Sequence, residues 1–192
     1  MLTDRIIGAF TFRRGIYAEV EKDTTFTSTA WLLVVVVGFL NQLGSNASPN
    51  LVSWLGGAIV GTIFAVAGFA LAAVVISWVG RGLFKAQVTF EELVRTLGLA
   101  YVWNVVGVIG VLAGLIAVLG CVLAPVMIVA AILLIVAWFM AAKEALDLGW
   151  GETIITVIVG WIVMMAIMFV GSLVLGGIFG PGAAASGGIL GF

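Results

Sequence analysis

The sequence contains no histidine, a single cysteine (Cys121) and three prolines in 192 residues. Without histidine, the commonest metal ligand and the commonest general base near neutral pH are both missing. One cysteine excludes an internal disulfide framework. With no base to activate it, Cys121 reads as a small packing residue rather than a nucleophile. Charge is scarce as well: only 9% of the residues are Asp, Glu, Lys or Arg, against about 25% in ordinary soluble domains. A net charge of −1 leaves no electrostatic footprint for nucleic acid. No cofactor signature is present.

What is present is apolar. Hydrophobic residues make up 64% of the chain, and glycine contributes 26 positions, a composition that suits close-packed membrane helices. Residues 51–79 carry no ionisable side chain. As a helix rising 1.5 Å per residue, this stretch exceeds a hydrocarbon core of roughly 30 Å. Similar runs at 25–44, 97–119, 122–142 and 153–179 bring the number of expected spans to five. The sequence therefore predicts an all-α, polytopic membrane protein: a five-helix transmembrane bundle with an amino-terminal amphipathic segment. Its parts are the amphipathic segment at 1–24, the membrane domain at 25–179 and a Gly-rich, uncharged tail at 180–192.

In the amphipathic segment, Leu2, Ile6, Ile7 and Phe10 recur at helical spacing, and Ile16, Tyr17 and Val20 continue the stripe. This predicts one or two helices lying on the membrane face. The segment is too short in its apolar run for a signal peptide, so the first span is expected to act as an uncleaved anchor. Residues 81–95 read as a charged loop, with Thr89 capping a short helix over Glu91 and Glu92. Phe84, Val88, Phe90 and Leu93 are expected to hold that loop on the membrane surface. Gly120, Cys121 and Pro125 read as a tight turn between the third and fourth spans.

All 8 basic residues fall in the amino-terminal segment, the second-to-third loop or the fourth-to-fifth link. Five spans place these three regions on one side, which the positive-inside rule makes cytoplasmic. The amino terminus is then inside and the carboxyl terminus outside, in a plasma membrane of prokaryotic type. Gly57 and Gly61, and the row Gly107, Gly110 and Gly114, are expected to let helix backbones approach closely. Asn41 and Gln42 close the first span, where water or a neighbouring helix can satisfy them. Trp103 and Asn104 form the best recognition pair inside a span, with Arg81, Lys85 and Arg95 as a charged rim that orients a partner. Met164 and Met168, four apart, read as core filler in preference to a soft copper site.

The stretch Gly82, Leu83, Phe84, Lys85 and Ala86, followed by Phe90 and residues 93–101, resembles the loop leading into the third span of the YIP family, five-span membrane proteins related to eukaryotic Rab-interacting factors. Residues 138–145 with Leu148, Gly149 and Trp150 resemble that family's fourth-to-fifth link. The Asp-Leu-Tyr-Gly-Pro element of the eukaryotic members has no counterpart here, and no proline follows Tyr101 closely. The resemblance accordingly implies a five-span fold of a prokaryotic branch rather than Rab binding, and it brings no catalytic residues.

Three function classes follow. A non-enzymatic scaffold or adaptor, such as an accessory subunit of a larger membrane complex, would bind integral membrane proteins and lipids, or form a homo-oligomer, through helix faces and loops. The alternative is a small neutral-solute or lipid transporter acting as an oligomer. The expected spans hold no ionisable residue, which leaves no proton relay or ion cage. A membrane enzyme would have to work through Arg81, Glu91, Glu92, Arg95 and Asp147, none of which is evidently positioned for acid–base chemistry.

Overall fold

In the computed structural model, residues 1–179 are described, apart from the side chain of Ala117; the expected Gly-rich tail at 180–192 lies outside them. Two short helices, α1 (Leu2–Phe10) and α2 (Ile16–Lys22), precede the bundle. The first two spans are α3 (Phe26–Ser45) and α4 (Leu51–Phe84). The third is composite: α5 (Phe90–Ala100), a 3₁₀ helix over Tyr101–Ile109, and α6 (Gly110–Leu115). The last two are α7 (Ala117–Leu146) and α8 (Trp150–Phe179). Among the described residues, five helical segments are long and apolar enough to cross a membrane, and the protein is an integral membrane protein of all-α class.

Local chemistry sets three of the helix starts. Pro49 precedes α4, and the Asn50 side chain accepts from the Val52 and Ser53 N–H groups at 3.0 and 3.1 Å. Thr89 and Glu92 form a reciprocal capping box at the start of α5, as the sequence predicts for Thr89. At α8 the Glu152 carboxylate accepts the Gly149 N–H at 3.0 Å.

The boundaries differ from expectation in three places. Helix α4 continues through Phe84, so Arg81 is helical and only residues 85–89 connect to α5. The break between the third and fourth spans falls at Ile116, whose backbone is extended. Gly120, Cys121 and Pro125 lie inside α7 and make no turn. A membrane helix tolerates the missing N–H of an internal proline where neighbouring groups or local adjustment compensate. Lastly, Val88 and Leu93 are buried in the protein rather than held against lipid.

The spans pack in a register that can be read from close contacts. α4 and α8 run antiparallel: Gly56 meets Phe179, Phe64 meets Gly171, Gly68 meets Met164 and Ile76 meets Gly160. α3 lies parallel to the third span, with Ala30 against Gly98, Asn41 against Gly107 and Ala47 against Gly114. Phe69 is the hub of the core. Its fully buried ring lies edge-on to Trp31 at 5.7 Å, Tyr101 at 5.6 Å and Trp138 at 6.1 Å, and Trp138 reaches Trp161 at 6.2 Å. One aromatic chain thus connects all five spans.

The amino-terminal helices turn part of their apolar stripe into the protein, while Leu2 and Ile7 stay exposed. Ala9, Ile16, Tyr17 and Val20 are buried in the same core as the spans, and α2 packs on α5 and α7. The hairpin is closed by ion pairs: Arg5 to Glu19 at 3.0 Å and to Asp23 at 2.7 Å, and Arg13 to Glu19 at 2.7 Å. The buried part of its apolar stripe therefore covers one end of the bundle. The charged link before α5 and the fourth-to-fifth link share that end.

Candidate functional site

The 3₁₀ helix organises the site. Its sequence is rich in β-branched and aromatic residues, which are poor α-helix formers. In a 3₁₀ helix residues three apart eclipse on one face. Tyr101, Asn104 and Gly107, continued by Gly110, are spaced by three and meet α3 at Gly38, Asn41 and Gly44. A Cβ on Gly44 would overlap the Gly107 carbonyl, and one on Gly107 would overlap the Asn41 amide. The backbones therefore touch directly. Asn41 Nδ2 donates to the Asn104 carbonyl at 3.1 Å.

Of the five glycines expected to face protein, Gly57, Gly61 and Gly107 are buried, Gly110 is half-buried and Gly114 is exposed. Besides Gly107, a Cβ on Gly57 would meet the Asn46 side chain at 3.0 Å, one on Gly110 the Gly44 carbonyl at 3.0 Å, and one on Gly114 the Ala47 Cβ at 2.5 Å. Gly61 is filled by the Gln42 amide. Small residues here serve as sockets for the amides of α3.

Trp103 and Asn104 line a narrow cleft of about 10 Å³ between the 3₁₀ helix and α7, with Met127, Ala130, Ala131 and Leu134 opposite. Asn104 is only 6% exposed. Among the described residues its side-chain amide bonds to nothing, and Trp103 Nε1 is buried without a partner. Phe12 stacks on Trp103 at 5.7 Å and Phe10 meets it edge-on at 4.8 Å. Phe12 adopts φ 51°, and Gly15 follows at φ 76°. Positive φ is unfavourable for a bulky residue, so the α1–α2 turn holds Phe12 over the indole at a local cost. Phe12 carried no recognisable signal beyond its nearness to Gly15.

The expected charged rim does not assemble. Arg81 is exposed and donates through Nε to the Ser77 carbonyl at 3.3 Å. Lys85 is exposed at the end of α4, in the left-handed conformation, while the following N–H of Ala86 closes on the Gly80 carbonyl at 3.0 Å. Arg95 is 5% exposed and turned inward. Its Nε donates to the Glu21 carbonyl at 2.8 Å and its Nη1 to the Thr27 hydroxyl at 3.2 Å. The guanidinium thus pins the end of α2 and the start of α3 to α5. Burial raises the Glu21 carboxyl above its ordinary value, and Asp147, Glu92 and Glu144 push it the same way.

Among the described residues, no group of three or more His, Cys, Asp or Glu side chains could hold a metal ion. Met164 packs on Gly68. The geometry defines a polytopic helical membrane protein with a neutral, amide-lined cleft. Comparison of the chain with known protein families, with curated proteins and with solved structures gives no match.

Proposed function

We propose that this protein is a non-enzymatic membrane scaffold or adaptor, an accessory subunit that binds a partner helix along α7. The observation that supports this most is how little of α7 the bundle covers. In its most apolar window only 11% is buried, against 39%, 44% and 50% in the first three spans. Val118, Val122, Val126, Val129 and Val136 are exposed along it, on the face turned away from Met127, Ala130, Ala131 and Leu134, which line the Trp103–Asn104 cleft. A partner helix on α7 would pack against this valine stripe by close van der Waals contact.

The hairpin end is proposed to be cytoplasmic, since it holds the basic residues, and the chain to belong to a prokaryotic branch of YIP-type proteins, on the strength of its five spans behind an amphipathic segment. A photocrosslinker placed at Val122, Val129 or Val136 in native membranes tests the adaptor reading, with Ile63, exposed on α4, as control. Discrete protein adducts from α7 alone are expected. Lipid adducts alone at all four positions, or robust solute transport by the isolated protein, would overturn it.

A further inference from the structure

The last turn of α4 and its cap carry two cations, Arg81 and Lys85, that the fold leaves unpaired. No Asp or Glu occurs between Asp23 and Glu91. Among the described residues neither Arg81 nor Lys85 enters an ion pair, whereas Arg5 and Arg13 both do. We propose that this end of α4 binds the phosphodiester headgroup of an anionic glycerophospholipid.

Placement along the helix fits a lipid. Leu71, Val74, Trp78, Arg81, Gly82 and Lys85 follow one another at helical spacing, in a stripe about 100° wide, and all six are exposed. Trp78 is 72% exposed, and an exposed Trp near the end of a span marks the membrane interface. Arg81 then lies about 4.5 Å and Lys85 about 10 Å further out, at the level of lipid phosphates. Leu71 and Val74 continue the stripe inward along an acyl chain.

Two positions in the stripe work against the helix without helping the fold. Glycine weakens a helix interior relative to alanine, yet a Cβ on Gly82 would meet nothing within 4 Å and its φ is not positive. Neither packing nor backbone conformation therefore requires glycine there. Its missing side chain leaves a notch between Trp78 and Lys85, one turn to either side. Lys85 adopts φ 61° at the helix cap, the position where glycine is usual and a Cβ is crowded. A lysine at that place keeps a cation at the rim of the notch. Arg81 Nε donates to the Ser77 carbonyl at 3.3 Å, while its terminal NH₂ groups reach no acceptor among the described residues. A planar guanidinium and a mobile ammonium together match the oxygens of a phosphodiester.

Full-length protein, purified in detergent and stripped of lipid, is titrated with phosphatidylglycerol and with phosphatidylcholine of the same acyl chains. Native mass spectrometry counts the lipid retained. Phosphatidylglycerol is expected to be retained at a concentration about ten- to thirtyfold lower, the range two basic groups near a membrane surface provide. Arg81→Gln and Lys85→Gly should each reduce that preference about three- to fivefold. Lys85→Gly should at the same time raise the melting temperature of the lipid-free protein, because it relieves the crowded cap. Gly82→Leu, which meets no neighbour, should keep the fold and lose the preference, so the test survives if Arg81→Gln misfolds. Arg14→Gln combined with Lys22→Gln removes two other exposed cations and should leave the preference intact. Equal retention of the two lipids by the intact protein would assign the stripe to an acidic segment of a protein partner and overturn the proposal. So would a Lys85→Gly variant that melts higher yet keeps the full preference, an equal loss in the Arg14 and Lys22 double variant, or displacement of the lipid by inorganic phosphate.

Discussion

The Asn41 side chain crosses from α3 to the backbone carbonyl of Asn104, 3.1 Å away, and both residues are buried. A side chain of the first span thereby holds the wound-up centre of the third. Replacing Asn41 by Leu removes the donor and also overfills the space above Gly107. We expect Asn41→Leu to lower stability by about 1–3 kcal/mol. Thermal unfolding in mild detergent measures this, and an unchanged melting temperature would show that the contact contributes nothing.

The glycine sockets offer a graded series. Leu at Gly44 or Gly107 meets backbone or a buried amide, which cannot move aside, whereas a Cβ at Gly82 meets nothing within 4 Å. Gly44→Leu and Gly107→Leu are expected to abolish the folded monomer in detergent, and Gly82→Leu to leave it within about 0.5 kcal/mol of the original. Size-exclusion profiles and melting curves read the difference. Equal tolerance at all three positions would contradict the seam.

Arg95 tests whether the hairpin is docked through one side chain. Arg95→Lys keeps the charge but loses the planar fork that spans the Glu21 carbonyl and the Thr27 hydroxyl. Each hydrogen bond to a charged group contributes about 1.5–3 kcal/mol. Trypsin should cut faster after Arg14 and Lys22, both exposed, in Arg95→Lys and faster still in Arg95→Met, with the spans intact. Cleavage at the original rate in both variants would separate Arg95 from docking.

The same end should respond to pH in two windows. The Glu21 carboxyl is raised above its ordinary 4.5 by burial and then by Asp147, Glu92 and Glu144. A raised carboxyl stabilises the fold below its unfolded pKa, and that contribution is lost as pH rises through the folded one. Asp23 is the reverse: the Thr25 hydroxyl and Arg5 hold it below its ordinary 3.8, so its contribution is present above that value and disappears as pH falls through the lowered one. Hairpin docking, followed by trypsin-independent hydrogen exchange of α2, should tighten as pH drops from neutral toward about 5. Glu21→Gln should give the tighter state already at neutral pH and flatten the response. A hairpin that loosens over that interval would refute the assignment.

Membrane orientation is open to direct labelling. With Cys121 replaced by Ser, an impermeant thiol reagent applied from outside should reach a cysteine at Ser48 and spare one at Gln87. The opposite result would turn the hairpin end outward.

The sequence by itself determined the class of this protein, because crossing a bilayer demands long runs without charge, and such runs are visible without any knowledge of packing. The end of the bundle that carries charge, the cap at Thr89 and the glycine rows were legible for the same reason: each depends on neighbours within a few positions. A three-residue spacing through Tyr101, Asn104, Gly107 and Gly110 was also there to be read as a 3₁₀ face. Only the tertiary structure decided where the apolar stripe of the hairpin points, since lipid and protein core are equally apolar and the periodicity is the same for either. It alone turned Arg95 inward, because the carbonyl that receives it lies 74 positions away along the chain. It also placed Phe12 over Trp103. Contacts between distant segments set these features, and local pattern does not record them.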